Sequence, residues 1–137
     1  MRAADTTEPG PHVARLLNEA ESTRVPDLST VLEELADFRS DMLRFLQGYD
    51  VILCPPDVYP ALPHGGLQEG YSYRMWAHMS AYNLTGWPAG VVRVGQTSEG
   101  LPVGVQVVGQ PWREDVVLAV MQSIETAFGG YRRPNPV

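Results

Sequence analysis

The sequence contains no lysine. Its ten basic residues are all arginine, at positions 2, 15, 24, 39, 44, 74, 93, 113, 132 and 133. Arginine keeps its proton at any workable pH, so no side chain here can act as a neutral amine base. The serines, at 22, 29, 40, 72, 80, 98 and 123, are never adjacent. A single cysteine, Cys54, excludes an internal disulfide and a multi-cysteine zinc site. His12, His64 and His78 lie too far apart to form a close-spaced ligand pair, and surface or pocket-edge roles are the favoured reading. Neither G-x-G-x-x-G nor G-x-x-x-x-G-K-[ST] occurs, so no glycine-rich phosphate loop is present.

Positive charge and long apolar runs are also scarce. The formal net charge is -6, and the arginines form no basic patch, which argues against a nucleic-acid surface. No run approaches the roughly eighteen apolar residues of a membrane span. The opening stretch MRAADTTEPGPHVARLL has no apolar core of the secretory type. A cytoplasmic protein without membrane or nucleic-acid partners is expected, and the Asn83-Leu84-Thr85 sequon reads as chance.

What is present suits a globular α/β domain: 137 residues, 44% hydrophobic and 19% charged. Residues 1–11 read as a loose lead-in and 129–137 as a tail, within one partial domain covering 1–137. Val13, Leu16, Leu17 and Ala20 predict a short helix ending near Pro26. Leu28, Val31, Leu32, Leu35, Phe38, Met42, Leu43 and Leu46 predict a longer one with a single buried face. Thr30 and Glu33 have capping-box spacing at its start, and Gly48 can supply a left-handed residue at its end. Val51–Cys54 reads as a strand buried on both sides with no obvious partner in the chain. Pro55-Pro56 ends it, and 55–70 reads as an irregular loop.

Tyr71, Met75, Met79 and Tyr82 predict a helix over 71–82, broken by Asn83 to Pro88. Ala89–Val94 and Pro102–Val108 predict a hairpin around the polar turn Gly95–Gly100. Val103, Val105 and Val107 would share one face; Gly104, Gln106 and Val108 would share the other, with something packed closely on Gly104. Glu114 and Asp115 open a last helix, with Val116, Val117, Val120, Met121, Ile124, Ala127 and Phe128 as its apolar stripe.

Three of these stretches, YDVILCPP, NLTGWPAGVVRVG and GLPVGVQVVGQPWRED, occur in an order that resembles the C-terminal part of the amidase signature family, from about Phe38 to Phe128. Trp87 and Cys54 depart from residues common in that family. The resemblance implies an α/β fold: part of a large mixed sheet, here about three strands including the antiparallel hairpin, covered by helices. It also implies hydrolysis of carboxamide C–N bonds by a Ser–Ser–Lys triad, with a glycine-rich oxyanion loop and no cofactor. No residue here matches that triad or its Gly-Gly-Ser-Ser-Gly-type stretch, so no catalytic residue and no metal ligand is assigned. The expected role is that of a C-terminal fragment, inactive alone, whose complete form takes a small-molecule amide and whose partner is the missing N-terminal catalytic portion. The alternative is a non-catalytic α/β module that pairs with another amidase chain. Cys54, Pro55 and Trp76 would wall the pocket once the missing part closes it, and Asn83, Gly86, Pro88, Gly100, Pro102 and Gly104 would shape the turn and hairpin.

Other chemistry is weaker. A cysteine nucleophile at Cys54 paired with His64 or His78 is outweighed by the ordinary role of a strand-end cysteine as a small hydrophobe. Asp57 and Glu69 have the residue types for acid–base work but lie where solvated carboxylates are common. The aromatic group Tyr71, Tyr73, Trp76, Tyr82 and Trp87 reads first as core packing, with a substrate-facing wall as the other reading.

Overall fold

The computed structural model describes residues 9–22, 27–62 and 77–133. The chain divides into two compact units, 1–34 and 35–137. In the first, α1 spans Pro11–Ser22. Proline suits a first helical position, where its missing N–H costs nothing. Leu16 and Leu17 on its apolar stripe are exposed.

Helix α2 spans Leu28–Phe45, and a 3-10 turn over Leu46–Gly48 extends it. Its cap is Asp27, not the Thr30–Glu33 pair: Asp27 Oδ1 accepts the Ser29 N–H at 3.2 Å, which satisfies an otherwise unpaired donor. The expected buried face is only partly covered among the described residues. Val31, Leu35 and Met42 are half-buried, Leu28, Leu32, Phe38 and Leu43 are exposed, and burial is complete only at Leu46 in the following turn. Gly48 is not left-handed; the chain leaves through an extended Tyr49.

The sheet has three strands: β1, Val51–Cys54; β2, Ala89–Gln96; and β3, Pro102–Gly109. Their order is β1-β3-β2, and both pairings are antiparallel. This corrects the expectation that the first strand lacks a partner. Val51 faces Gly109, and Cys54 faces Gln106. Nor is β1 buried on both sides, since Leu53 is 56% exposed. The hairpin partner β3 is thus the central strand. Its last four residues, Gln106 to Gly109, are all buried, while Pro102 and Val103 at its start are not. A register shift between Arg93 and Gly95 bulges β2 near the turn. Thr97 closes that turn: its N–H donates to the Leu101 carbonyl at 2.9 Å, and its carbonyl accepts the Gly100 N–H at 3.0 Å.

Each face of the sheet has its own cover. Helix α4, Glu114–Phe128, packs on the face of Gly90, Val107 and Gly109. A Cβ on Gly109 would stand 2.7 Å from Val117 Cγ2 and 3.4 Å from the Arg113 carbonyl oxygen, so the missing side chain lets helix and strand meet. The other face carries a cluster of Leu46, Trp87 and Val108, with Met42, Ile52 and Tyr82 packed against it.

Helix α3 is described over Ala77–Thr85, and residues 71–76 of the expected helix lie outside the described residues. Asn83 does not break it. The helix continues to Thr85 and stops at Gly86, whose φ of 71° is easily adopted only without a Cβ. The Tyr82 carbonyl accepts the Gly86 N–H at 2.8 Å and the Trp87 N–H at 3.2 Å, which turns Trp87 into the core. The Arg39 guanidinium donates to the Leu84 carbonyl through Nε at 3.1 Å and Nη2 at 2.8 Å, tying α2 to the end of α3.

Two substitutions test this packing. Leu46→Ala removes a fully buried side chain and should cost about 2–5 kcal/mol in urea unfolding. Gly109→Ala forces α4 away from β3 and should cost roughly 1–3 kcal/mol, with loss concentrated on the α4 side. A Gly109→Ala protein as stable as the parent would show that α4 does not lie as closely on β3 as described.

Candidate functional site

The face of the sheet opposite α4 carries a polar group at the end of β1. Cys54 and Gln106 are cross-strand partners with side chains on the same face. Gln106 is 4% exposed. Its Nε2 donates to Cys54 Sγ at 3.3 Å and to the His78 main-chain carbonyl at 2.9 Å. Tyr82 Oη lies 3.8 Å from Cys54 Sγ and completes the group. Both amide hydrogens of Gln106 are therefore used, as burial requires of a polar side chain.

Burial is the main reason the Tyr82 hydroxyl is pushed up to about 12, with the Cys54 hydrogen bond adding to it. Such a tyrosine is a neutral hydrogen-bond group at physiological pH. It cannot serve there as a phenolate base.

Pro56 lies over the same face: a Cβ on Gly104 would sit 3.8 Å from Pro56 Cγ and only 2.7 Å from Val91 Cγ1. Pro55 is exposed. Trp76, His64 and Glu69 lie outside the described residues, as do Tyr71 and Tyr73. Asp57 Oδ1 accepts the Val58 N–H at 2.6 Å. Of the aromatic group, Tyr82 and Trp87 belong to the core cluster. Asn83 is exposed on α3, and the Pro88 carbonyl accepts the Gly109 N–H at 3.0 Å. Gly100 has a φ of 86° in the hairpin turn, and Pro102 begins β3 opposite Gln96. Among the described residues, no three histidine, cysteine or acidic side chains converge to hold a metal. No described helix is long and apolar enough to cross a membrane.

The start of α4 holds the other perturbed groups. The Arg113 guanidinium pairs with Asp115 at 3.0 Å and holds its carboxyl below the usual carboxylate range. That pair is on the surface and is worth little to stability.

Sequence reasoning placed Cys54 and Gln106 on strands but did not bring them together, because it left β1 unpaired. The available signal was the single amide side chain within the apolar run VGVQVVG. A polar residue on a buried strand face needs a partner.

Known proteins are similar to this chain in sequence and in fold. The family model described as Amidase matches residues 6–118. Over 94 residues the chain is 33% identical to a glutamyl-tRNA(Gln) amidotransferase subunit of Dinoroseobacter shibae, covering 66% of this chain and 19% of that protein. Over 99 residues it is 34% identical to a fatty acid amide hydrolase of Arabidopsis thaliana, covering 67% of this chain and 16% of that protein. Among solved structures, a crystal structure of an amidase superposes with a TM-score of 0.75 at 25% identity, covering 87% of this chain and 29% of that one. The 6-aminohexanoate cyclic dimer hydrolase superposes with a TM-score of 0.70 at 26% identity, covering 89% and 29%. The alignments therefore span less than a fifth of the length of these curated relatives.

The Tyr82 hydroxyl makes stability depend on alkaline pH. Its folded value of about 12 lies above the ordinary 10.0, so its contribution is complete below pH 10 and is lost as pH rises toward 12. Urea melts should show stability falling across that interval, and Tyr82→Phe should remove that part of the fall. An unchanged slope in Tyr82→Phe would place the alkaline sensitivity elsewhere.

Proposed function

The chain belongs to the amidase signature family, and from that premise we propose that it forms the supporting, non-nucleophilic part of an enzyme that cleaves carboxamide C–N bonds. The absence of lysine carries this reading. The family resemblance calls for a Ser–Ser–Lys relay, in which neutral lysine draws a proton through one serine so that the other can attack the carbonyl. This sequence holds no lysine and no adjacent serines, so the relay must come from residues outside it. The names of the relatives, an amidotransferase and fatty acid amide hydrolases, support amide chemistry in general.

The role proposed for these residues is to support and wall the substrate pocket. At the end of β1, Cys54 joins the group of buried Gln106 and half-buried Tyr82, the exposed Pro55 follows it, and Pro56 lies near Gly104 on the same face. Cys54 is not the nucleophile in this reading. Its sulfur contacts an amide and a phenol, and among the described residues no side-chain base is hydrogen-bonded to it.

The remainder of the pocket joins either through the same polypeptide or as another amidase chain. Strand addition suits both routes. Among the described residues β2 pairs only with β3, and Val91 on it is 52% exposed.

The test is to treat the 137-residue chain with a fluorophosphonate, which labels activated serines, and to assay fatty-acyl and glutamine amides in parallel. Neither labelling nor turnover above buffer is expected. Turnover that accompanies a labelled serine would contradict the reading. Turnover abolished by Cys54→Ser would replace it with an autonomous cysteine hydrolase.

A further inference from the structure

Cys54 is the last residue of β1, and His78 lies on α3, described over Ala77–Thr85. One buried side chain touches both. Gln106 Nε2 donates to Cys54 Sγ at 3.3 Å and to the His78 carbonyl at 2.9 Å. The two hydrogens of one planar amide point in fixed directions, so satisfying both sets the distance between the end of β1 and His78. Gln106 comes from the central strand, which is hydrogen-bonded on both sides and cannot easily shift to follow a moving stem.

We infer that Gln106 is a positioning residue, a clamp that holds the end of β1 against α3 at His78. Its functional meaning rests on the proposed role of this region as a pocket wall, because a β1 end held against α3 presents a fixed surface to substrate. The clamp itself is independent of amide chemistry. An ordinary core residue would fill space with apolar contacts. Gln106 instead places both of its side-chain donors on two different elements, β1 and α3. Tyr82, one helical turn after His78, reaches the same sulfur at 3.8 Å and gives the clamp a second contact from α3.

The test compares Gln106→Met, which keeps the length of the side chain but has no donor, with Cys54→Ala, which removes the β1 contact of Gln106 and the Tyr82 contact to the same sulfur. The readouts are hydrogen exchange of peptides 78–85 and 89–96 in the polypeptide as its cells make it and, for Gln106→Met, alkylation of Cys54 followed by mass spectrometry. Gln106→Met should raise the Cys54 alkylation rate and the exchange of 78–85 by about tenfold, as expected for one lost buried hydrogen bond, and leave 89–96 unchanged. Cys54→Ala should leave the His78 bond in place and raise the exchange of 78–85 by a smaller factor. Uniform loss of protection across 78–85 and 89–96 in Gln106→Met, or no change in either region, would overturn the clamp. If Gln106→Met does not fold, Cys54→Ala is compared with Tyr82→Phe, which removes only the phenol's contact to the sulfur: loosening of 78–85 by Cys54→Ala beyond that in Tyr82→Phe supports the clamp, and no difference between the two overturns it. None of these readouts depends on amide turnover, so failure of the functional reading and failure of the clamp are separable.

Discussion

The structure of the second unit depends on the second half of β3, Gln106 to Gly109, being hydrogen-bonded along both edges and covered on both faces. There its antiparallel ladders to β1 and β2 satisfy the backbone on both sides. Val107 is fully buried on the α4 face, and Val108 is fully buried against Leu46 and Trp87 on the other. One strand is thus the wall between two small cores. Register matters because a one-residue slip would exchange the faces, driving Gln106 against α4 and Val107 into the polar group. The close approach of Val117 at Gly109 and of Val91 at Gly104 also fixes this register, since neither neighbour leaves room for a side chain.

The polar group follows from that arrangement. With β1 paired to β3, Cys54 stands opposite Gln106, and the chain entering α3 passes close enough to offer the His78 carbonyl. The result is an apolar sheet interior with one satisfied amide at the edge of the proposed pocket. The outer edge of β2 and the exposed apolar residues of α2 are not covered among the described residues. Open edges and exposed apolar stripes of this kind are surfaces that a further strand or helix can cover.

Much of this was legible in the sequence where the signal was local. The hairpin was readable from valine alternation around a polar turn, the last helix from its stripe and its terminal glycines, and the family from three motifs in order. Nonlocal relations were not readable. The partner of Val51–Cys54 lies more than fifty positions away, and nothing in four apolar residues encodes it. The α2 stripe showed the right period without showing what, if anything, covers it. The cap of α2 was misread because Thr30–Glu33 fits the capping-box pattern, whereas Asp27 one residue before the helix takes the role. The end of α3 lies three residues past the expected 82, because within the expected break of Asn83 to Pro88 it is Gly86 that supplies the left-handed conformation that stops the helix.

In the proposed reading, amide cleavage needs groups that these 137 residues lack. The measurement that tests this is native capture from the source cells with an antibody against residues 101–128, followed by the mass of the captured species and amide turnover in the same fractions. Turnover is expected only in fractions whose mass is far above 15.1 kDa. Turnover in a fraction containing only a 15.1 kDa chain would overturn the proposed reading.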